Sequence, residues 1–261
     1  MKIGIFDSGL GGLLMMRAIT AALDQYDYVY LGDTAYLPYG ARLNELIYER
    51  TQKCIDWLMR EQNCVLVIIA CNTATIAALR QIQQEWLPAH FPDRRVLGIV
   101  VPTLECAVGA KNIGLIGTTA TVASKVYEEE LRKITPNAKI KSVATPLLVP
   151  LIENNGDKYA RAILSDYLAP LDDVETLILG CTHYPIYNDL IRELMPHTNI
   201  ISQDEILPLK LINYLSRHPE IECRLTQNSS QAFYVTDSTQ GYINTANKLF
   251  DKNVIINKII I

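Results

Sequence analysis

The chain has 261 residues, 49% of them hydrophobic, a formal charge of −4 and six cysteines. That is enough apolar material for one large domain or two of ordinary size, and it excludes a disordered chain. No Lys/Arg cluster supplies the concentrated positive face that nucleic acid requires, so a small-molecule partner is expected.

The first residues, Met1 to Asp7, enter a strand directly and lack the three regions of an export signal. No apolar run reaches the roughly 20 residues of a membrane span. The chain reads as cytoplasmic, with no membrane association, no extension ahead of the first strand and no activation that depends on one. Cysteines 54, 64, 71, 106, 181 and 223 form no CxxC pair, which in a reducing compartment indicates free thiols. Cys54, Cys64, Cys106 and Cys223 read as packing residues.

Strand-like runs at Lys2–Phe6, Tyr28–Leu31, Val65–Ala70 and Val96–Val101 alternate with helical patterns at Leu13–Leu23, Leu43–Glu61 and Thr75–Trp86. A second set has strands at Ile113–Ile116, Ala138–Val143, Thr176–Leu179 and Asn199–Ile201. Its helices fall at Thr121–Lys133, Lys158–Leu168 and Ile186–Leu194. This alternation predicts an α/β fold with parallel sheets. Pro102 and Pro208 mark expected crossings between the halves. The last segment, with a strand at Phe233–Val235 and a helix at Gln240–Phe250, is expected to rejoin the first half. The tail Asn253–Ile261 reads as an edge strand or as poorly ordered chain. The expected domains are residues 1–97 with 210–261, and residues 98–209.

Two segments repeat one design. In Val65–Ala70 followed by Cys71-Asn72-Thr73, and in Thr176–Gly180 followed by Cys181-Thr182-His183, an apolar run stops at a cysteine and a helical pattern follows. The N–H groups of a helix's first turn favour a thiolate placed there. Two such thiols on similar halves related by an approximate two-fold would face each other across a cleft. Matched bases on opposite faces of one carbon are what inversion by proton transfer requires.

The loop Asp7-Ser8-Gly9-Leu10-Gly11-Gly12 partly matches a dinucleotide fingerprint, with Asp33 at the spacing of a ribose-binding acid. The third glycine position holds Leu14, and Asp7 would oppose a pyrophosphate, so a small polar substrate fits better. A third strand-to-helix junction, Gly117-Thr118-Thr119-Ala120-Thr121, offers hydroxyls and N–H groups for a carboxylate, or plain helix capping. Tyr36-Leu37-Pro38-Tyr39-Gly40 reads as an ordered loop after a strand end, where ligand contacts gather.

Phe6–Gly12, Tyr30–Thr34 with Pro38–Gly40, Ala70–Ala74, Pro146–Glu153 and Leu179–Pro185 together resemble glutamate racemase. The likeness runs from the first strand to Val235–Ser238. It implies two parallel-sheet α/β domains with the active site between them, and interconversion of L- and D-glutamate without a cofactor or metal. It also implies a homodimer and a supply of D-glutamate for peptidoglycan. Carried over residue by residue, Cys71 deprotonates D-glutamate and Cys181 L-glutamate. Asp7 assists Cys71, while His183 and Glu153 assist Cys181. Ser8, Tyr39, Gly40, Asn72, Thr73, Thr118, Thr121, Thr182, Asp7 and His183 match positions that hold the amino acid.

Plainer roles compete at three of these positions: a helix cap for His183, loop closure for Asp7, and a solvated loop carboxylate for Glu153. A superfamily enzyme acting on aspartate or another amino acid is the nearest alternative, and a zinc or redox protein using Cys71, Cys181 and His183 a remoter one. Ser202-Gln203-Asp204-Glu205 departs from the family's aspartate and small-residue pattern. Pro102 to Ala107 is assigned no substrate role and is read as part of a dimer or regulatory surface.

Overall fold

The computed structural model describes residues 1–250 and 254–261. Its strands are β1 (Lys2–Asp7), β2 (Tyr28–Gly32), β3 (Cys64–Ile69), β4 (Arg95–Gly98), β5 (Asn112–Gly117), β6 (Lys139–Ala144), β7 (Thr176–Gly180), β8 (Asn199–Ile201), β9 (Gln231–Val235) and β10 (Ile256–Lys258). They build two sheets, ordered β10-β9-β2-β1-β3-β4 and β6-β5-β7-β8. Every pairing is parallel.

The halves share one topology. Without the β9–β10 extension, each sheet runs second, first, third, fourth strand, so the order reverses between β1 and β3 in one and between β5 and β7 in the other. The crevice beyond the carboxyl ends at such a reversal is where open parallel sheets bind ligands. Asp7 ends β1 and Cys71 lies two residues past β3, while Thr118 and Cys181 directly follow β5 and β7.

β3 and β7 are buried along their whole length, as strands covered on both faces must be. In the first sheet Ile3, Ile5, Tyr28 and Tyr30 pack under helices Gly11–Ala22, Gln203–Arg217 and Gln240–Phe250. Phe6, Val29 and Leu31 face the opposite layer, with helices Asn44–Arg60 and Asn72–Gln81. This alternation is the strand period of two.

Several boundaries differ from expectation. The strand predicted to reach Val101 ends at Gly98, where its register with Ile69 of β3 runs out, and Val100–Glu105 is a helix burying Val100 and Leu104. The single helix expected over Thr121–Lys133 is two, Thr119–Ala123 and Val126–Ile134, separated by Lys125 at φ 61°. Pro208 is not a crossing but lies inside the helix Gln203–Arg217. An interior proline costs about 3 kcal/mol. Burial of Leu207, Leu211 and Leu215, each worth about 1.5–3 kcal/mol, outweighs it.

Of the tail, Ile256–Lys258 forms the edge strand beside β9, and Asn253 lies outside the described residues. Cys54 and Cys64 are core residues, whereas Cys106 and Cys223 are exposed and do not pack as expected.

Candidate active site

Cys71 leaves β3 as the N-cap of helix Asn72–Gln81, its Sγ accepting the Ala74 N–H at 3.4 Å and lying 3.5 Å from Ser8 Oγ. Asp7 ends β1 fully buried, and its Oδ2 accepts the Gly9 N–H at 2.9 Å. The helix behind it approaches closely because Gly12 has no side chain; a Cβ there would lie 2.3 Å from the Asp7 Cβ. Burial, then the Asp7 charge, push the Cys71 thiol up to about 12, and the Cys181 sulfur adds a smaller push. Donation from Ser8 and Ala74 opposes them. At neutral pH Cys71 therefore carries its proton.

Cys181 occupies the equivalent station after β7, with its Sγ 3.7 Å from His183 Nδ1. His183 Nε2 lies 3.1 Å from Glu153 Oε1. Glu153 is not in a loop, as expected, but is the last residue of helix Leu148–Glu153. Burial works against a charge on His183, yet hydrogen bonds to Cys181 and Glu153 and their negative charge outweigh it and raise the imidazole to about 10. At neutral pH the ring is an imidazolium that donates from both nitrogens, to a sulfur on one side and a carboxylate on the other.

The two strand-end groups meet. Thr182 Oγ1 donates to Asp7 Oδ1 at 3.3 Å across 175 positions of chain. A Cβ on Gly11 would lie 2.2 Å from Thr182 Oγ1 and 2.7 Å from His183 Nδ1, so that glycine is what lets the loops close on each other. Thr73 Oγ1 lies 3.2 Å from Thr118 Oγ1, which donates to Thr121 Oγ1 at 3.0 Å and accepts the Thr121 N–H at 3.2 Å. A Cβ on Gly40 would stand 3.2 Å from the Thr118 Cβ, placing that loop against the same helix start.

Two candidates have committed side chains. The Tyr39 hydroxyl donates to Asp33 Oδ2 at 2.6 Å, which leaves its backbone and ring for a ligand. The Asn72 amide pairs with Gln203. Sequence reasoning missed Arg50, which grips Asp33 in a buried bidentate pair joined by Thr236 Oγ1. The available signal was a charged residue on the apolar stripe formed by Ile47, Cys54 and Leu58 of its helix.

A cavity of about 460 Å³ opens elsewhere, among Thr75, Leu79, Val100, Leu207 and Leu211, and neither cysteine lines it. Among the described residues no group of three or more His, Cys, Asp and Glu side chains could hold a metal ion. No helix among them is long and apolar enough to cross a membrane.

A family described as Asp/Glu/Hydantoin racemase matches residues 3–206. Glutamate racemase of Sulfurihydrogenibium sp. is 36% identical over 256 residues, covering 95% of this chain and 94% of its own. The crystal structure of glutamate racemase from Francisella tularensis in complex with D-glutamate superposes with a TM-score of 0.89 at 27% identity, over 99% of this chain and 97% of that one. Glutamate racemase from Thermus thermophilus in complex with β-chloro-D-alanine gives a TM-score of 0.86 at 30% identity, over 100% and 97%. Two thiols at the switch points of duplicated parallel sheets, with these likenesses, place the chain in the Asp/Glu/Hydantoin racemase family. Within that family its relatives and structural neighbours group it with the glutamate racemases, which are isomerases.

Proposed function

We propose that this chain interconverts L- and D-glutamate by two-base proton transfer without a cofactor, with Cys181 taking the α-proton of L-glutamate and Cys71 that of D-glutamate. The observation that carries the reading is that both cysteines follow the third strand of the same topology, and that the loop after β1 touches both, through Asp7 to Thr182 beside Cys181 and through Ser8 to the Cys71 sulfur.

In the L-to-D direction the α-proton passes to the Cys181 sulfur, and the proton held by Cys71 passes to the opposite face of the carbon. In the reverse direction the Cys71 proton first passes to Asp7, the Cys71 sulfur takes the α-proton, and the Cys181 sulfur delivers to the opposite face a proton supplied by His183. His183 and Glu153 hold a donor on the Cys181 sulfur. An α-proton beside a carboxylate is a very weak acid, so thiolate basicity alone does not account for turnover. The remainder comes from donors that stabilise the developing negative charge in a site closed to water. Ser8, Tyr39, Gly40, Asn72, Thr73, Thr118, Thr121 and Thr182 supply the hydroxyls and backbone N–H groups for that role and for holding the ligand.

The same reading makes the protein a cytoplasmic homodimer that supplies D-glutamate for peptidoglycan. It divides the chain into two lobes, one built on each sheet. We place the first crossing at about residue 98 and the return at Ser202 rather than at 209/210, because helix Gln203–Arg217 is continuous there and packs on Gly11–Ala22. The test is incubation with L-glutamate, and separately L-aspartate, in deuterated water, following optical rotation and α-deuterium. Loss of rotation with one deuterium per inversion of glutamate is expected. Exchange of aspartate without glutamate overturns the substrate.

A further inference from the structure

The segment Ser202–Glu205, which departs from the family pattern, places a fully buried Gln203 against the residue that follows Cys71. The two amides pair reciprocally: Asn72 Nδ2 donates to Gln203 Oε1 at 2.8 Å and Gln203 Nε2 donates to Asn72 Oδ1 at 3.0 Å. The Tyr127 hydroxyl donates to the same Asn72 Oδ1 at 2.7 Å. Gln203 Nε2 also reaches Thr103 Oγ1 and the Tyr127 hydroxyl, each at 3.2 Å. All four residues are at most 2% exposed.

This network has a direction. An asparagine amide turned end over end has nearly the same shape, so packing alone does not say which end faces which way. The Thr103 hydroxyl proton is committed to the Ile99 carbonyl at 2.7 Å, so Thr103 Oγ1 accepts from Gln203. Gln203 must therefore present its nitrogen there and toward Asn72 Oδ1. Its oxygen then takes one N–H of Asn72, which fixes the orientation of the amide and so of its other N–H. A connected buried network of this kind rigidifies its members.

We propose that Gln203 is a positioning residue that aims the remaining Asn72 N–H at the bound amino acid, with Thr103 setting its polarity and Tyr127 supporting it. The inference rests on the reading of Asn72 as a substrate contact. It assigns a substrate-orienting role to helix Gln203–Arg217, which carries no catalytic group and packs against the first lobe.

Steady-state kinetics of the full chain with each enantiomer tests it. Gln203→Met is expected to raise KM about tenfold in both directions with kcat within about twofold, the scale of one hydrogen bond to a charged group. The two kcat/KM values must fall equally, because enantiomers have an equilibrium constant of one. Added to Asn72→Ala, the same substitution should have no further effect on KM. Raised KM in Asn72→Ala with parental KM in Gln203→Met overturns the positioning role and leaves Asn72 as a contact. Parental KM in Asn72→Ala removes the contact and the inference with it. A drop in Tm with KM held marks Gln203 as structural only and also overturns the role. Should Gln203→Met fail to fold, Thr103→Val removes only the acceptor; a rise in KM of about threefold supports the polarity argument and an unchanged KM overturns it.

Discussion

Cys71 and Cys181 stand at the same place in two copies of one strand order, yet their surroundings are opposite in charge. Cys71 sits against a buried carboxylate, with a hydroxyl and a backbone N–H as its donors, and its thiol is pushed up to about 12. Cys181 sits against an imidazole raised to about 10, backed by a carboxylate one step further away. Topology duplicated the position of the sulfur and the neighbouring side chains differentiated its chemistry. A pseudo-symmetric pair of strand ends thus carries a carboxylate beside one sulfur and an imidazole beside the other.

The comparison is broken most directly by removing either sulfur. Cys71→Ala and Cys181→Ala should each lower racemisation by about 10³-fold or more, read by polarimetry; near-parental activity in either would show that a single thiol suffices. Next in size is Gly11→Ala, which forces a Cβ into Thr182 and His183 and pushes the two half-sites apart. A fall in kcat/KM of about 10²-fold is expected with the far-ultraviolet circular dichroism unchanged, because an ångström of misplacement has that cost.

Glu153→Gln should lower activity about tenfold and act on one half-site only. The Glu153 carboxylate helps raise His183, so its loss moves the imidazole down from about 10 and brings the alkaline limb of the pH–rate profile to lower pH. The stability linkage has the same sign. The His183 contribution is complete below its unfolded value of about 6.5 and disappears as pH rises through about 10, so the variant should lose stability earlier on the alkaline side. The smallest effect is expected for Ser8→Ala, which removes a donor from Cys71. The kcat and KM for D-glutamate should fall together about threefold with both constants for L-glutamate held, and equal falls in the two kcat values would argue against assigning Cys71 to the D enantiomer.

Much of the fold was legible along the chain. Continuous apolar runs such as Val65–Ala70 mark strands covered on both faces, and the cysteines closing two of them mark strand ends where ligands bind. Local pattern misled where tertiary packing outweighed it. Val100 and Val101 read as strand but have no partner beyond Gly98, and Pro208 read as a break but lies in a helix paid for by three buried leucines. In the site, the segment around Glu153 reads by itself as a loop, and only the family resemblance put its carboxylate with His183, thirty positions away.

The sequence by itself determined the α/β class, the repeated halves and the two thiols at the ends of corresponding strands, since these depend on apolar period and on residues next to one another. Only the tertiary structure decided that Asp7 meets Thr182 across 175 positions, that Gln203 pairs with Asn72 across 131, and that Gly11 is bare because another loop occupies the space. Contacts of that range depend on how whole elements pack, and chain connectivity leaves no local periodicity from which to read them.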